Sequence, residues 1–283
     1  MTRSFVRRAS LPWMLLAIAL AVPGTVLAAP PGVNLRWDHC YGDGGVQARE
    51  FACDTNSGSE RLVASFELAS DLPVVTLFEL YVTVGWLDNQ LPAWWQFRNA
   101  GSCRATALGV VSTPPAGSVS CADWGGGNAG GGIFGYFVNF YSGAPYNIAN
   151  ALIAGSEFLP SSLPASLFSG HEYFAFSLTI DHSKTTGIGA CAGCLEPASI
   201  VFTTLRFKFS DNTDLDLTQG ANGDGSQWVS WQHGCPQNIV RSCHTICGVP
   251  GCCDLPTSLF NVVSCGATAA RPSTWGAVKA LYR

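Results

Sequence analysis

Apolar and polar side chains alternate along several segments of the chain. Between Val74 and Trp86, one set of alternating positions is mostly apolar, and the positions between them include Glu79, Tyr81 and Thr83. The same two-residue period recurs in residues 61–69, 173–180 and 201–209. Such a period predicts antiparallel strands with one face packed in a core and one face toward water.

The alternation also predicts which side chains form the core. Phe66, Phe78, Phe176 and Phe207 each occupy an apolar position of a predicted strand. We expect these four rings to lie in one sandwich core. By the same alternation, Phe174 should share a face with Phe176, and Val201 should share a face with Leu205. Side chains an even number of residues apart on a strand point to the same face.

Weaker strand patterns fill most of the remaining chain, in residues 33–38, 93–98, 104–112, 133–141 and 227–232. They are separated by glycine, proline, asparagine and serine, and helical periodicity is nearly absent. The glycine-rich run from Trp124 to Gly132 is predicted to be a loop. The sequence therefore predicts an all-β fold, an antiparallel β-sandwich of jelly-roll type, over residues 29–232.

The first 28 residues have the features of a secretory signal peptide. Arg3, Arg7 and Arg8 precede an apolar stretch, and small residues precede a predicted cleavage site at Ala28–Ala29. The apolar stretch is shorter than the roughly 20 residues that a membrane anchor needs. We expect a secreted or cell-surface protein with no membrane span after cleavage.

The chain has 12 cysteines, all beyond the predicted cleavage site. An even number in an exported protein predicts disulfides. Closeness in sequence suggests the pairs Cys40–Cys53, Cys103–Cys121 and Cys191–Cys194. The other six are Cys235, Cys243, Cys247, Cys252, Cys253 and Cys265, and they make residues 233–266 a predicted disulfide-rich C-terminal appendage, with structural zinc as the alternative.

The net negative charge of the chain argues against two classes of partner. The formal net charge of −4 becomes −7 when the three arginines of the signal peptide are removed. An acidic surface repels phosphate backbones and anionic lipid headgroups, so we expect no nucleic acid partner and no docking on acidic membranes.

Tryptophan and aspartate supply the two candidate ligand sites. Trp94 and Trp95 would point to opposite faces of a strand, so at least one should be exposed, and with Trp124 they could stack on the sugar rings of a glycan. The alternative is that these rings belong to the core. Four carboxylates, those of Asp211, Asp214, Asp216 and Asp224, could bind calcium, although their spacing is not that of an EF-hand, and a solvated strand edge is the alternative. No other cofactor is predicted.

The patterns required for catalysis are weak. Cys191 and Cys194 have the spacing of a redox motif, but a predicted strand follows them instead of a helix, which favours structural disulfides. No Gly-x-Ser-x-Gly segment marks a nucleophile, and no closely spaced glutamate pair suggests glycoside cleavage. We therefore predict no catalytic residues.

Two segments carry a resemblance to other proteins. They are the Ala-Cys-Ala-Gly-Cys segment at residues 190–194 and the tail Thr-Trp-Gly-Ala-Val-Lys-Ala-Leu-Tyr-Arg at residues 274–283. The last third of the chain resembles a group of uncharacterised exported bacterial proteins with similar endings, which implies export but no activity. The tail follows a linker within residues 267–283, and Trp275, Val278 and Tyr282 would form an apolar stripe if it were helical.

These features together predict a non-enzymatic role. We expect a disulfide-stabilised β protein with a structural or adhesive function, whose partner is an extracellular glycan or a surface protein. A carbohydrate-binding module is the first alternative, and a hydrolase acting on an extracellular polymer is the second. The oligomeric state stays open.

Overall fold

The computed structural model describes residues 31–86, 90–98, 101–114, 121–139, 150–209, 211, 213–218 and 226–234. Within these ranges the chain forms two large β-sheets, a small two-stranded sheet and two short 3₁₀ helices. The predictions for residues 1–28, for the six cysteines from Cys235 to Cys265 and for the tail at 267–283 lie outside the described residues.

Sheet A is a mainly antiparallel layer in which β3 and β11 lie at the centre. Its strands in spatial order are β1 (Gly32–Trp37), β3 (Ser59–Glu67), β11 (Glu172–Asp181) and β6 (Leu108–Val111), and β7 (Ala122–Asp123) pairs in parallel with the start of β11.

Sheet B is the larger layer. Its strands in spatial order are β2 (Ala48–Arg49), β14 (Trp228–Trp231), β12 (Ala198–Lys208), β5 (Leu77–Gly85), β9 (Asn150–Phe158) and β8 (Gly130–Val138), and β13 (Asp214–Leu217) pairs with the end of β12. The small sheet joins β4 (Leu72–Val75) to β10 (Ala165–Leu167).

The hydrophobic core lies between sheets A and B. Phe66 of sheet A contacts Phe78 and Phe207 of sheet B with ring centroids 6.2 and 5.5 Å apart, and all three rings are fully buried. Phe176 is buried in the same cluster and packs on Phe202. The prediction of one sandwich core with these rings in it, and with it the all-β sandwich, is confirmed.

Two β-bulges place some side chains on the opposite face of their strand from the one that the alternation predicted. The pairing of β11 with β3 shifts between Phe174 and Phe176, so Phe174 lies opposite Ser65 and packs outside the sandwich in a cluster with Cys40, Val63 and Cys121. The pairing of β12 with β5 shifts between Phe202 and Thr204. Each bulge adds a residue to one strand, which reverses the order of inward and outward positions beyond it. The predictions that placed Phe174 with Phe176, and Val201 with Leu205, are therefore wrong.

Some predicted strands are shorter or absent. Residues 93–98 do not form a strand, because Ala93–Trp95 is a 3₁₀ helix that follows Pro92. The pattern at 104–112 yields only β6. The loop predicted from Trp124 to Gly132 ends at Ala129, because β8 begins at Gly130.

Three disulfides join distant parts of the fold, namely Cys40–Cys121, Cys53–Cys194 and Cys103–Cys191. The three pairs predicted from closeness in sequence are wrong, because the packing of the sheets brings together loops that are 81 to 141 residues apart. Structural disulfides are typical of proteins that fold in an oxidising compartment. Among the described residues, no helix has the length and apolar character to cross a bilayer.

Candidate functional site

A cleft of about 370 Å³ opens at one end of the sandwich. The loop that follows β7 forms one wall, and residues 163–168, which include β10, form the other. Tyr173, near the start of β11, also lines the cleft. A concave site on a rigid frame is the usual form of a binding site, so this cleft is the candidate site of the described chain.

Hydrogen bonds to the Asp123 side chain fix the first wall. The Asp123 carboxylate accepts the backbone N–H groups of Gly125 and Gly127 at 2.9 and 2.7 Å. Gly126 and Gly127 have φ angles of 55° and 82°, which glycine adopts without a steric penalty. The glycine-rich sequence here therefore forms a tight, hydrogen-bonded turn beside the cleft.

Trp124 connects the cleft to a buried acid. Its ring packs on Phe78 at 4.8 Å, and its Nε1 donates to Oε2 of Glu157 at 3.1 Å. Glu157 is fully buried, and its Oε1 has no hydrogen-bond partner among the described residues. Burial raises the pKa of Glu157 to about 9, and the nearby Asp123 charge adds to the rise. The side chain is therefore a neutral carboxylic acid at pH 7.

The second wall has an exposed apolar rim. Leu163 and Phe168 each expose 52% of their surface. The backbone N–H of Phe168 donates to the Tyr173 hydroxyl at 2.8 Å, and Ser169 donates through its N–H and hydroxyl to Asp71. Val74 on β4 and Phe158 at the end of β9 are also exposed, but they do not line the cleft. Large exposed apolar side chains that neighbour one another often mark an interaction site.

The three tryptophans predicted to bind a glycan do not form an exposed groove. Trp94 and Trp95 are 0% exposed and Trp124 is 2% exposed. Trp94 and Trp95 lie on the 3₁₀ helix, contact each other at 5.1 Å, and pack in the core with Trp231. The buried guanidinium of Arg104 covers the Trp94 ring at 3.6 Å. The prediction of an exposed stacking ring at these positions is wrong, because a helical turn can direct two adjacent side chains into one core.

Two of the four aspartates predicted to bind calcium are paired with cations of the protein. Arg206 donates to both oxygens of Asp216 at 2.6 and 2.7 Å, and Lys208 contacts Asp214 at 2.7 Å. Asp211 accepts the N–H and hydroxyl of Thr213. Within the part of the chain that the structure describes, no group of three acidic, histidine or cysteine side chains is arranged to hold a metal. Asp224 lies outside that part, and calcium there stays a prediction.

Cys191 and Cys194 are not paired with each other. Each forms a disulfide with a different loop, to Cys103 and to Cys53. This agrees with the structural interpretation of the motif, since neither sulfur is a free thiol that could act as a nucleophile.

The sequence indicated only part of the cleft. Trp124 was a candidate ligand residue, but the lining residues Leu163, Phe168 and Tyr173 were not, nor was Glu157 behind Trp124. A signal for two of them was present, because Leu163 and Phe168 are large apolar residues in a segment rich in serine and proline. That signal is weak, because Leu167 in the same segment is buried in the core.

Comparison of the chain with protein-family models and with curated proteins finds no match in either set. The function is therefore argued from the geometry of the cleft and of the frame that holds it.

Proposed function

We propose that this protein is a secreted or cell-surface β protein with a structural or adhesive role, and that the cleft is where it contacts its partner. The observation that carries the proposal is the exposed apolar rim formed by Leu163 and Phe168 on a disulfide-linked sandwich. The export signal predicted at residues 1–28 and the resemblance of the sequence to exported bacterial proteins support this proposal.

The covalent frame supports a mechanical or adhesive role. Cys40–Cys121 joins the loop after β1 to the strand that leads into the cleft wall, because Cys121 is followed directly by β7. The turn at Asp123 is then held by its own hydrogen bonds. A wall fixed in this way loses little conformational entropy when a partner binds, which favours affinity.

The rim supports contact with a partner that presents apolar surface. Leu163 and Phe168 expose large apolar areas beside polar groups of Asn128 and Ser166. Removing apolar surface from water contributes about 25 cal/mol per Å², so a partner that covers both side chains gains several kcal/mol at most. A surface protein with an exposed apolar segment fits this rim better than a glycan does. A glycan would be expected to stack on an exposed tryptophan, and Trp124, which lines the cleft, is buried.

The test compares retention of the mature protein on washed producing cells. The double variant Leu163→Asp/Phe168→Asp should be retained at least about tenfold less than the wild type, because it removes the apolar contact and adds charge. Ile188→Asp is the matched control, since Ile188 is a fully exposed apolar residue in a different loop. Its retention should equal that of the wild type.

The alternatives have separate readouts in the same assay. Equal retention of all three proteins would contradict the proposed role of the cleft. Release of the wild type by soluble polysaccharide would favour the carbohydrate-binding module. Cleavage of polysaccharide or ester substrates by the wild type would favour the hydrolase.

A further inference from the structure

The outward face of sheet B has two halves that differ in solvent exposure. Near the ends of β5 and β12, Glu79 and Lys208 form a half-exposed ion pair, as expected for a face toward water. Toward the other ends of these strands, and on the neighbouring β9, outward residues are buried instead: Val201 on β12 is 4% exposed and Leu152 on β9 is 3% exposed. Neither belongs to the two hydrophobic clusters of the described residues.

Strand pairing arranges the buried half in two adjacent rows. The first row consists of small residues on three neighbouring strands, Gly85, Ser199 and Ser230. The second row consists of larger residues on four neighbouring strands, the buried Leu152, Thr83 and Val201 and the partly buried Trp228. With strands about 4.8 Å apart, the second row spans about 14 Å. The row of small residues therefore forms a shallow trough, and the row of larger residues forms a ridge beside it.

Hydroxyl groups in this patch have no partners. The side-chain oxygens of Thr83, Ser199 and Ser230, and that of Thr204 just beyond the patch, are buried, and none has a hydrogen-bond partner in the described chain. A buried hydroxyl without a partner costs roughly 1–3 kcal/mol, so native structures rarely leave several of them together on one face. Burial, unpaired hydroxyls and outward direction together require a covering layer that also supplies hydrogen bonds.

We infer that residues 235–283 of the same chain form this covering layer. The last described residue, Gly234, lies against the backbone of Ala198, next to Ser199 in the small-residue row. The chain therefore continues from the edge of the patch, directly after the strand that carries Ser230. The bulge in β12 is what turns Val201 outward to meet this segment.

The length and composition of residues 235–283 suit the patch. The segment is joined to the described fold only at Gly234, whereas residues 140–149 and 219–225 are held at both ends by described chain. Trp275, Val278 and Tyr282 supply large apolar side chains for a trough of glycine and serine. Six cysteines in the segment allow it to be cross-linked into a compact layer, and its backbone supplies partners for the hydroxyls.

Site-specific photo-crosslinking in the full mature chain tests the inference. A photoreactive phenylalanine analogue replaces Trp228 or Val201 in the patch, and Glu79 in the solvated half serves as the matched control. We expect the first two positions to crosslink to peptides from residues 235–283, and position 79 not to do so. Crosslinks from the patch only to residues 140–149, to residues 219–225, to residues before 31 or to another molecule would overturn the inference.

A second pair of variants keeps the test independent of the analogue. Leu152→Asp places a charge in the patch, and Ala154→Asp places one on the same strand and the same face but beyond the buried half. Proteolysis within residues 235–283 should be at least about tenfold faster in Leu152→Asp than in Ala154→Asp, because only the first variant displaces the segment. Equal cleavage rates in two folded variants would contradict the inference.

Discussion

Glu157 is a carboxylic acid enclosed within the sandwich. It lies opposite Phe78 in the pairing of β5 with β9, and among the described residues its carboxyl group accepts a hydrogen bond only from Trp124. Desolvation raises the pKa of this carboxyl from 4.5 to about 9, so the folded protein binds a proton that the unfolded chain loses at neutral pH. Between these two values, each rise in pH favours the unfolded state.

Replacing Glu157 with glutamine should remove this pH dependence. The amide keeps an oxygen for Trp124 and does not ionise, so the variant should match the wild type near pH 5. At pH 8 its free energy of unfolding should be higher by several kcal/mol, on the order of 3–5, because the wild type then folds with an unfavourable proton uptake. Urea unfolding of both proteins at the two pH values measures the difference. A difference that does not change with pH would contradict the buried neutral acid.

The loop between β11 and β12 shows how one element is held from several sides. Cys191 and Cys194 bind it to two other loops, and the backbone carbonyl of Cys194 accepts the Trp231 indole N–H at 2.7 Å. The Ala192 carbonyl accepts the backbone N–H of Trp94 at 2.8 Å. These two neighbouring disulfides thus close the loop over the end of the core that contains the tryptophans.

The fit of this loop depends on Gly193. Its φ is 117°, and an added Cβ would lie 2.2 Å from Cβ of Pro92. Gly193→Ala should lower the free energy of unfolding by about 2–4 kcal/mol, since strain and a clash act together. Gly187→Ala in the same loop is the control: its φ is 82° with no atom near the added Cβ, so only about 1 kcal/mol should be lost. Denaturant unfolding of the two oxidised variants measures both losses of free energy. Equal losses would contradict the close approach of residue 193 to Pro92.

Bulges define the faces of the two long strands. The shift in β11 sends Phe174 to the outer face of sheet A, where it packs near the Cys40–Cys121 disulfide. The shift in β12 separates Val201 from Leu205 and is accompanied by a hydrogen bond from the Thr203 hydroxyl to the Tyr81 carbonyl at 2.8 Å. Both outer faces therefore carry buried apolar side chains in addition to the central core.

At the scale of the molecule, the disulfides span long stretches of chain. Their sequence separations are 81, 141 and 88 residues. In the chain-entropy account, closing loops of this length stabilises the fold by about 4–5 kcal/mol for a single bridge, and by less for each when the loops overlap. The structure is therefore expected to depend on oxidation.

Mass spectrometry of the secreted protein tests the redox state as a whole. The mature chain should begin near Ala29, contain no free thiol and weigh about 12 Da less than the reduced chain, because twelve cysteines form six bridges. Peptide mapping should recover Cys40–Cys121, Cys53–Cys194 and Cys103–Cys191. One zinc per chain, together with four alkylatable cysteines between Cys235 and Cys265, would instead support the metal alternative for the appendage.

The sequence alone determined the class of fold and much of the core. A two-residue period is a local property, and burial of one face follows from it directly, so alternation was sufficient to assign Phe66, Phe78, Phe176 and Phe207 to the core. The even number of cysteines likewise predicted disulfides, because it depends on composition and compartment and not on geometry.

Only the tertiary structure decided the pairing of the cysteines, the burial of Trp94, Trp95 and Trp124, and the position of the cleft. Each of these depends on contacts between segments far apart in the chain, such as the turn at Asp123, the rim at Phe168 and the acid at Glu157. The two bulges belong to the same class, because a one-residue shift in register leaves no mark in a local pattern but reverses every face beyond it.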